Sequence, residues 1–200
     1  YPGLGRELLS ALPELATRLD FPHLSSALDL PADPAPLQML WGASALCQLH
    51  TILSRDILGI QHDAVIGYSS GETNALLATG AWRDLSEMYR DTHDCGLFDQ
   101  RIGGDFTAVA AAWGEDTVDW SVWSVMVDED ELAPLLAAEP RVHLAIRHTR
   151  RDLVIAGETE RCEHILRALP GSRSRPLEYN LAVHVPELET ISSAWLELHR

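Results

Sequence analysis

The chain has 200 residues, of which 46% are hydrophobic, and it carries a formal net charge of −15 at pH 7. That apolar content is enough for one sizeable core or two small lobes. The acidic charge argues against nucleic acid or an anionic membrane as a general partner, because both attract basic surfaces. Cys47, Cys95 and Cys162 form no C-x-x-C motif, and no apolar run approaches the ~20 residues of a membrane span. We therefore expect a cytoplasmic protein without a membrane segment.

The first half of the chain has helical periodicity. Leucines recur at helical spacing between Leu8 and Leu19, a proline-rich loop covers residues 31–36, and a second helix is predicted from about Leu37 to Ile57. The predicted buried stripe of this second helix consists of Leu40, Ala43, Leu46, Leu53 and Ile57. A third helix is predicted from Asp84 to Cys95, and Gly103 and Gly104 then mark a break.

A serine motif lies between the second and third helices. The sequence G-Y-S-S-G-E at Gly67–Glu72 follows the apolar run 64–66, which is predicted to be a strand, and precedes a predicted helical segment at 73–78. A G-x-S-x-G motif between a strand and a helix is typical of a nucleophile elbow, in which the helix N-terminus directs its amides at the reacting oxygen. Ser69 is the candidate nucleophile and the backbone N–H of Ser70 a candidate oxyanion donor. The alternative is a Gly-Ser turn with a purely structural role.

From about Thr107 the pattern changes to short β-rich runs divided by helices. The order strand, helix, strand, strand, helix, strand is that of a ferredoxin-like lobe. The predicted elements are the strand 122–127, the helix 130–138, the strands 142–147 and 153–156, the helix 160–169 and a last strand at 177–180.

Two features of the chain could suggest a metal site. The acidic run Asp128–Glu131 lies at a helix start, where capping and the helix dipole explain carboxylates better than a metal does. The nine histidines include no H-E-x-x-H motif or comparable spacing. We therefore expect no metal and no tightly bound cofactor.

The serine motif also belongs to a wider, collinear set. The segments are Tyr1–Gly5, Gln38, Gly67–Glu72 with Ala78–Trp82, Leu153–Glu158, and Ala182–Pro186. Together they resemble the acyltransferase domain of fatty acid and polyketide synthases over nearly the whole chain. Among subtypes, Tyr68, the segment with Trp120 and Trp123, and Tyr179–His184 most resemble the iterative type I polyketide synthases of the enediyne kind.

The resemblance implies an α/β fold, with an α/β-hydrolase-like parallel-sheet lobe and an inserted ferredoxin-like small lobe. Residues 1–104 would form the N-terminal part of the large lobe, residues 105–180 the small lobe, and residues 181–200 the return to the large lobe. Because the chain begins at Tyr1 without a methionine and ends in an amphipathic segment at His199 and Arg200, we expect it to be a piece of a longer protein.

The resemblance also implies a reaction. Ser69 would attack the thioester of an acyl-coenzyme A while His184 accepts its proton, and the resulting ester would pass its acyl group to the phosphopantetheine thiol of an acyl carrier protein. Malonyl-CoA, the carrier protein and adjacent synthase domains are the implied partners. Without the family resemblance, His184 would be read as a partly buried structural histidine.

The family selects dicarboxylate substrates with an arginine, but an ungapped count from the serine reaches Asp94. Arg90, one helical turn earlier, or Arg101, after a loop shift, could instead present a guanidinium to a malonyl carboxylate. Either arginine could equally be an ordinary surface residue.

Four other positions are implied to contact substrate. Gln38 matches the glutamine that opens the family's second helix, Tyr68 replaces its usual histidine beside the nucleophile, and His148 stands where asparagine is common. Val183 occupies the position where malonyl-selective members often carry phenylalanine and methylmalonyl-selective members serine. A branched side chain there should crowd an α-methyl group, so we predict malonyl over methylmalonyl.

Eight arginines concentrate in the small lobe. They suggest either a docking face for an acidic carrier protein or coenzyme A phosphates, or ordinary ion pairing with nearby Glu158, Glu160 and Glu163. The eight are Arg141, Arg147, Arg150, Arg151, Arg161, Arg167, Arg173 and Arg175.

Two other classes of function remain open. An α/β-hydrolase esterase or thioesterase also uses G-x-S-x-G, with Asp128 or Asp152 followed by His184 meeting its required order of residues. In a noncatalytic interaction domain, Ser69 would be a turn residue only.

Overall fold

The computed structural model describes residues 2–198, of which Pro2 is described by its backbone only. The predictions that involve Tyr1, His199 and Arg200 lie outside the described residues. The chain divides into two units, the first ending at Asp94 and the second beginning at Cys95, and each is described by itself. The predicted division at residues 104 and 180 stays a prediction.

The regular elements of unit 1 are all helices in its described residues. Its helices α1 to α6 span Pro2–Ala11, Glu14–Arg18, Leu24–Leu28, Pro36–Ile52, Ser70–Thr79 and Leu85–Asp94, and a π-helical turn at Leu53–Ile57 extends α4. Helix α4 begins at a proline, which has no N–H to leave unpaired in the first turn. The Gln38 side chain caps the same end, since its Oε1 accepts a hydrogen bond from the Ala35 N–H at 2.9 Å.

The predicted buried stripe of α4 is wrong. Ala43 is exposed, and the other four predicted positions are only half-buried. The face that packs inward includes the polar residues Ser44 and Gln48, each 6% exposed. A search for apolar periodicity misses buried polar residues such as these. The apolar residues on the same face are Leu37, Trp41, Ala45, Leu49 and Ile52.

The strand predicted at residues 64–66 is also absent. Val65 and Ile66 are 46% and 98% exposed in an irregular segment. A β-strand forms only when a neighbouring strand pairs with its backbone groups, and the described part of unit 1 contains no strand. The strands of residues 2–198 all belong to a single antiparallel sheet, so the predicted parallel sheet of an α/β-hydrolase-like lobe is not found there.

Unit 2 contains the predicted ferredoxin-like order. Its elements are a π-helical turn Leu97–Arg101, α7 (Thr107–Trp113), β1 (Trp120–Met126), α8 (Glu129–Ala138), β2 (Val142–Thr149), β3 (Asp152–Glu158), α9 (Thr159–Arg167), β4 (Arg173–Pro176), a 3-10 helix Pro186–Ile191 and α10 (Ser192–Leu198). The sheet has the order β2-β3-β1-β4, with antiparallel neighbours throughout. The predicted β-α-β-β-α-β order is thus confirmed.

The position of the last strand differs from the prediction of residues 177–180. Strand β4 lies earlier, and the ladder ends where the Leu177 N–H donates to the Val122 carbonyl at 2.8 Å. The strand has the sequence R-S-R-P and is exposed at every position, so hydrophobic patterning cannot detect it. Basic residues and proline are typical of edge strands, where they discourage further pairing.

Both faces of the sheet are covered. Strand β3 is therefore buried along its five central residues, 153–157. On one side Leu153 and Ile155 pack with α8 and α9, and on the other Val154 packs with Trp120 and Phe106. Helix α8 begins as predicted by capping, since Asp128 accepts a hydrogen bond from the Asp130 N–H at 3.2 Å. Among the described residues, no helix is both long and apolar enough to cross a membrane.

Candidate active site

The Gly67–Glu72 segment forms a tight turn into helix α5. Its turn bonds run from the Gly71 N–H to the Tyr68 carbonyl and from the Glu72 N–H to the Ser69 carbonyl, both at 2.9 Å. A Cβ at Gly67 would lie 2.4 Å from the backbone of Glu72, so this position accepts only glycine. Ser69 is exposed at the N-cap of α5, with φ 52° and ψ −120°.

The backbone of Ser69 is in a rarely populated conformation. Ser69, Phe106 and His184 are the non-glycine residues with positive φ among those described. Such a conformation costs about 1–3 kcal/mol and persists where the surrounding structure fixes it, often at functional sites. Ser69 and His184, the predicted nucleophile and base, thus both have a positive φ.

A buried polar network lies behind the serine turn. Asn74 is 7% exposed, and its Nδ2 donates to the Ser70 carbonyl at 3.0 Å and to the Ser44 Oγ at 3.2 Å. Gln48, on α4, donates to the Asn74 Oδ1 at 3.1 Å and to the Asn74 carbonyl at 3.2 Å. The first turn of α5, which begins right after Ser69, is thereby tied to α4.

Ser70 is the first residue of α5, and the first N–H groups of a helix have no acceptor within it. The helix dipole adds partial positive charge at the same end. This arrangement is compatible with the predicted oxyanion role. Sequence reasoning missed Asn74 and Gln48, because polar side chains in a helical stretch are ordinarily solvent-facing.

His184 lies in unit 2 on a second strained turn, with φ 59°. Its side chain is exposed, whereas Ala182 and Val185 on either side are 0% and 7% exposed. Before the turn, the Ala182 N–H donates to the Ile102 carbonyl at 2.7 Å. An exposed imidazole between buried neighbours can contact a bound molecule. A partly buried structural histidine would be less accessible to such a molecule.

The candidate substrate residues fall in different places. In unit 1, Tyr68 is 61% exposed beside Ser69, Arg90 is exposed on α6, and Gln38 is occupied in capping α4. Asp94, where an arginine was expected, is the exposed last residue of α6.

In unit 2, Arg101 is exposed at the end of the π-helical turn, and His148 is exposed near the end of β2. Val183 is half-buried next to His184. The turn segments therefore bring together Tyr68, Ser69 and Ser70 in one unit and Val183 with His184 in the other.

Ion pairing within unit 2 accounts for most of its arginines. Five of the eight pair with carboxylates of the same unit, including Arg141 with Glu115 at 2.7 Å and Arg150 with Asp128 at 3.4 Å. Within residues 2–198, no ion pair forms at Arg151, Arg173 or Arg175. Ion pairing within the unit, the alternative to a docking face, therefore accounts for five of the eight arginines and leaves these three.

No protein-family model matches the chain. Curated relatives do: the non-reducing polyketide synthase nscA of Aspergillus fumigatus is 27% identical over 96% of this chain, and that of Trichophyton verrucosum is 28% identical over the same share. The chain spans 11% of the length of either relative.

Solved structures of acyltransferases also match this chain. The acyltransferase domain of an iterative polyketide synthase in enediyne biosynthesis matches 85% of this chain and 43% of its own, with a TM-score of 0.60 and 22% identity. A malonyl CoA-acyl carrier protein transacylase from Clostridium perfringens matches 98% of this chain and 62% of its own, with a TM-score of 0.66 and 18% identity. The chain folds like part of these acyltransferases. A malonyl-transacylase solved with a type II polyketide synthase carrier protein matches 94% of this chain and 62% of its own, at TM-score 0.70 and 18% identity.

The resemblance of this chain to polyketide synthase acyltransferase domains, first indicated by its motifs, is therefore confirmed in both sequence and fold. The hydrolase alternative requires Asp128 or Asp152 as the acidic residue, and Asp128 is engaged in capping α8 and in pairing with Arg150. Backbone hydrogen bonding from Asp130, together with Arg150, keeps the pKa of Asp128 below its ordinary value despite some desolvation. Asp152 begins strand β3.

Proposed function

We propose that this chain is an acyltransferase domain that moves a malonyl group from malonyl-CoA to an acyl carrier protein, with Ser69 as the covalent carrier. The observation that carries the proposal is the strained, exposed Ser69 at the start of α5, on a turn that only glycine at position 67 permits. The similarity to polyketide synthase acyltransferase domains supports the reaction class.

In the first half-reaction, the Ser69 Oγ attacks the thioester carbonyl and His184 takes the hydroxyl proton. The carbonyl oxygen becomes an oxyanion that accepts a hydrogen bond from the Ser70 N–H. The tetrahedral intermediate then expels the coenzyme A thiolate, which receives the proton from His184. The malonyl group remains on Ser69 as an ester.

In the second half-reaction, His184 removes the proton from the phosphopantetheine thiol of the carrier protein. The thiolate attacks the malonyl ester, and Ser69 leaves with the proton that His184 returns. The thiol is the co-substrate supplied by the carrier protein, and the domain itself needs no resident cofactor.

We further propose that Arg90 or Arg101 binds the free malonyl carboxylate, since a guanidinium pairs with a carboxylate through two hydrogen bonds. Both are exposed and can reach a ligand. We propose that Tyr68 and His148, both exposed, contact the rest of the substrate, whereas Gln38 is occupied in capping α4. We propose that Val183 disfavours an α-methyl substituent, so that malonyl-CoA reacts faster than methylmalonyl-CoA.

The testing experiment is transfer of a labelled malonyl group to a phosphopantetheinylated carrier protein. The chain should catalyse the transfer, and Ser69→Ala and His184→Ala should each reduce it by at least about 100-fold. Ser25→Ala, at an exposed serine on α3, is the matched control and should retain full activity. Free malonate released at a rate that exceeds transfer would instead favour a hydrolase, and equal activity of Ser69→Ala would refute the proposal.

A further inference from the structure

A buried carboxylate lies three residues after His184. Glu187 is 8% exposed on the 3-10 helix Pro186–Ile191. Its Oε1 accepts two hydrogen bonds, from the Trp113 Nε1 at 2.9 Å and from the His143 Nε2 at 2.8 Å. Because Glu187 is an acceptor, its bond assigns the proton of the His143 ring to Nε2.

The two donors come from different parts of unit 2. Trp113 is the last residue of α7 and His143 lies on β2. The indole ring is held in turn by Arg141, whose guanidinium lies 4.7 Å from its centroid and pairs with Glu115 at 2.7 Å. Glu187 therefore connects the start of the 3-10 helix to a helix and to the sheet.

In the part of the chain that the structure describes, the carboxylate of Glu187 is buried with only one of its two oxygens hydrogen-bonded. Burying a charge is unfavourable unless it is paired and fully hydrogen-bonded. Among the described residues, the Glu187 Oε2 is a buried oxygen without a hydrogen-bond partner. Burial acts to raise the pKa of Glu187, but hydrogen bonds from His143, from its own backbone and from Trp113 lower it below its ordinary value. The group thus stays ionised at neutral pH, because its hydrogen-bond donors outweigh the effect of burial.

The location of Glu187 suggests what this buried carboxylate supports. The His184 turn is fixed on its upstream side by the Ala182 N–H bond to the Ile102 carbonyl, and Val185 is buried in the core. Glu187 fixes the downstream side. A left-handed φ at a non-glycine residue persists only when the surrounding structure holds it on both sides.

We propose that Glu187, through Trp113 and His143, is a positioning residue that holds the imidazole of His184 in its working orientation. The inference rests on the proposed function, in which His184 is the base. It assigns Glu187 no contact with substrate.

The kinetic test compares Glu187→Gln with Glu189→Gln, an exposed glutamate on the same 3-10 helix. Glu187→Gln should lower kcat for malonyl transfer by about 10-fold or more at unchanged KM, because a misplaced base slows proton transfer without weakening binding. Glu189→Gln should remain within about 2-fold of wild type. Trp113→Phe, which removes one donor and leaves the carboxylate, should give an intermediate loss if Glu187→Gln folds poorly.

A second readout does not depend on activity. The His184 ring signals in NMR spectra of the histidine-labelled chain, assigned with His184→Gln, should shift or broaden in Glu187→Gln and stay unchanged in Glu189→Gln. Unchanged signals together with unchanged kcat per folded molecule would overturn the positioning role. Wild-type protein without transfer activity would refute the proposed function, and the NMR comparison would still decide this inference.

Discussion

Removal of the Asn74 side chain tests whether the polar network behind Ser69 stabilises the serine turn. The Asn74→Ala substitution deletes three buried hydrogen bonds, two donated to Ser44 and Ser70 and one accepted from Gln48. At about 1 kcal/mol for each bond, the loss is roughly 3 kcal/mol. The better helix propensity of alanine returns about 0.5 kcal/mol. We therefore expect a net destabilisation of roughly 2–3 kcal/mol.

Urea unfolding followed by circular dichroism measures this loss in the full chain. Ser44→Ala is the matched control, because it removes one of the three bonds and should cost about 1 kcal/mol. Asn74→Ala should also slow malonyl loading of Ser69, because the Ser70 carbonyl loses its side-chain donor. A destabilisation below about 0.5 kcal/mol, or one equal to that of Ser44→Ala, would refute this account of the network.

Three further predictions concern unit 2. Asp128→Ala removes the N-cap of α8 and should lower the free energy of unfolding in urea by about 1 kcal/mol. Asp128→Asn keeps a capping oxygen and should be nearly neutral. An equal loss of stability in both variants would contradict the capping role. Burial raises the pKa of the Cys162 thiol to about 11 and also raises the pKa of Cys47, whose residue is nonetheless exposed. Iodoacetamide at pH 8 should therefore alkylate Cys47 slowly in the folded chain and reach buried Cys162 only after unfolding. The folded-state pKa of Glu187 is lowered, so its ionisation stabilises the fold at pH values above its unfolded pKa of about 4.3, and this stabilisation is lost as the pH falls through the folded-state pKa. Glu187→Gln should therefore flatten the loss of thermal stability on acidification. An unchanged pH profile of the melting temperature would contradict this contribution of Glu187.

The ferredoxin-like unit was predictable because three of its four strands are apolar and alternate with helices. The fourth, Arg173–Pro176, is exposed along its whole length and leaves no hydrophobic signal. The reverse holds for residues 64–66, which have strand-like composition but no neighbouring strand in the described part of unit 1. Local composition thus predicts a strand only where a pairing partner also exists.

The candidate site divides in the same way. Ser69 and His184 stand in short motifs that sequence alone can detect. Asn74 and Glu187 act through hydrogen bonds to residues 26 and 44 positions away, at Gln48 and His143. No local pattern specifies such pairs, because only the folded chain brings them together.

Intact-protein mass spectrometry after brief exposure to malonyl-CoA tests the central claim most directly. The chain should gain a single malonyl group that peptide mapping assigns to the segment containing Ser69, and Ser69→Ala should gain none. Parallel exposure to methylmalonyl-CoA should give slower labelling, in keeping with Val183. A malonyl adduct that persists in Ser69→Ala, or thioester consumption without any adduct on the wild-type chain, would contradict the acyl-enzyme mechanism.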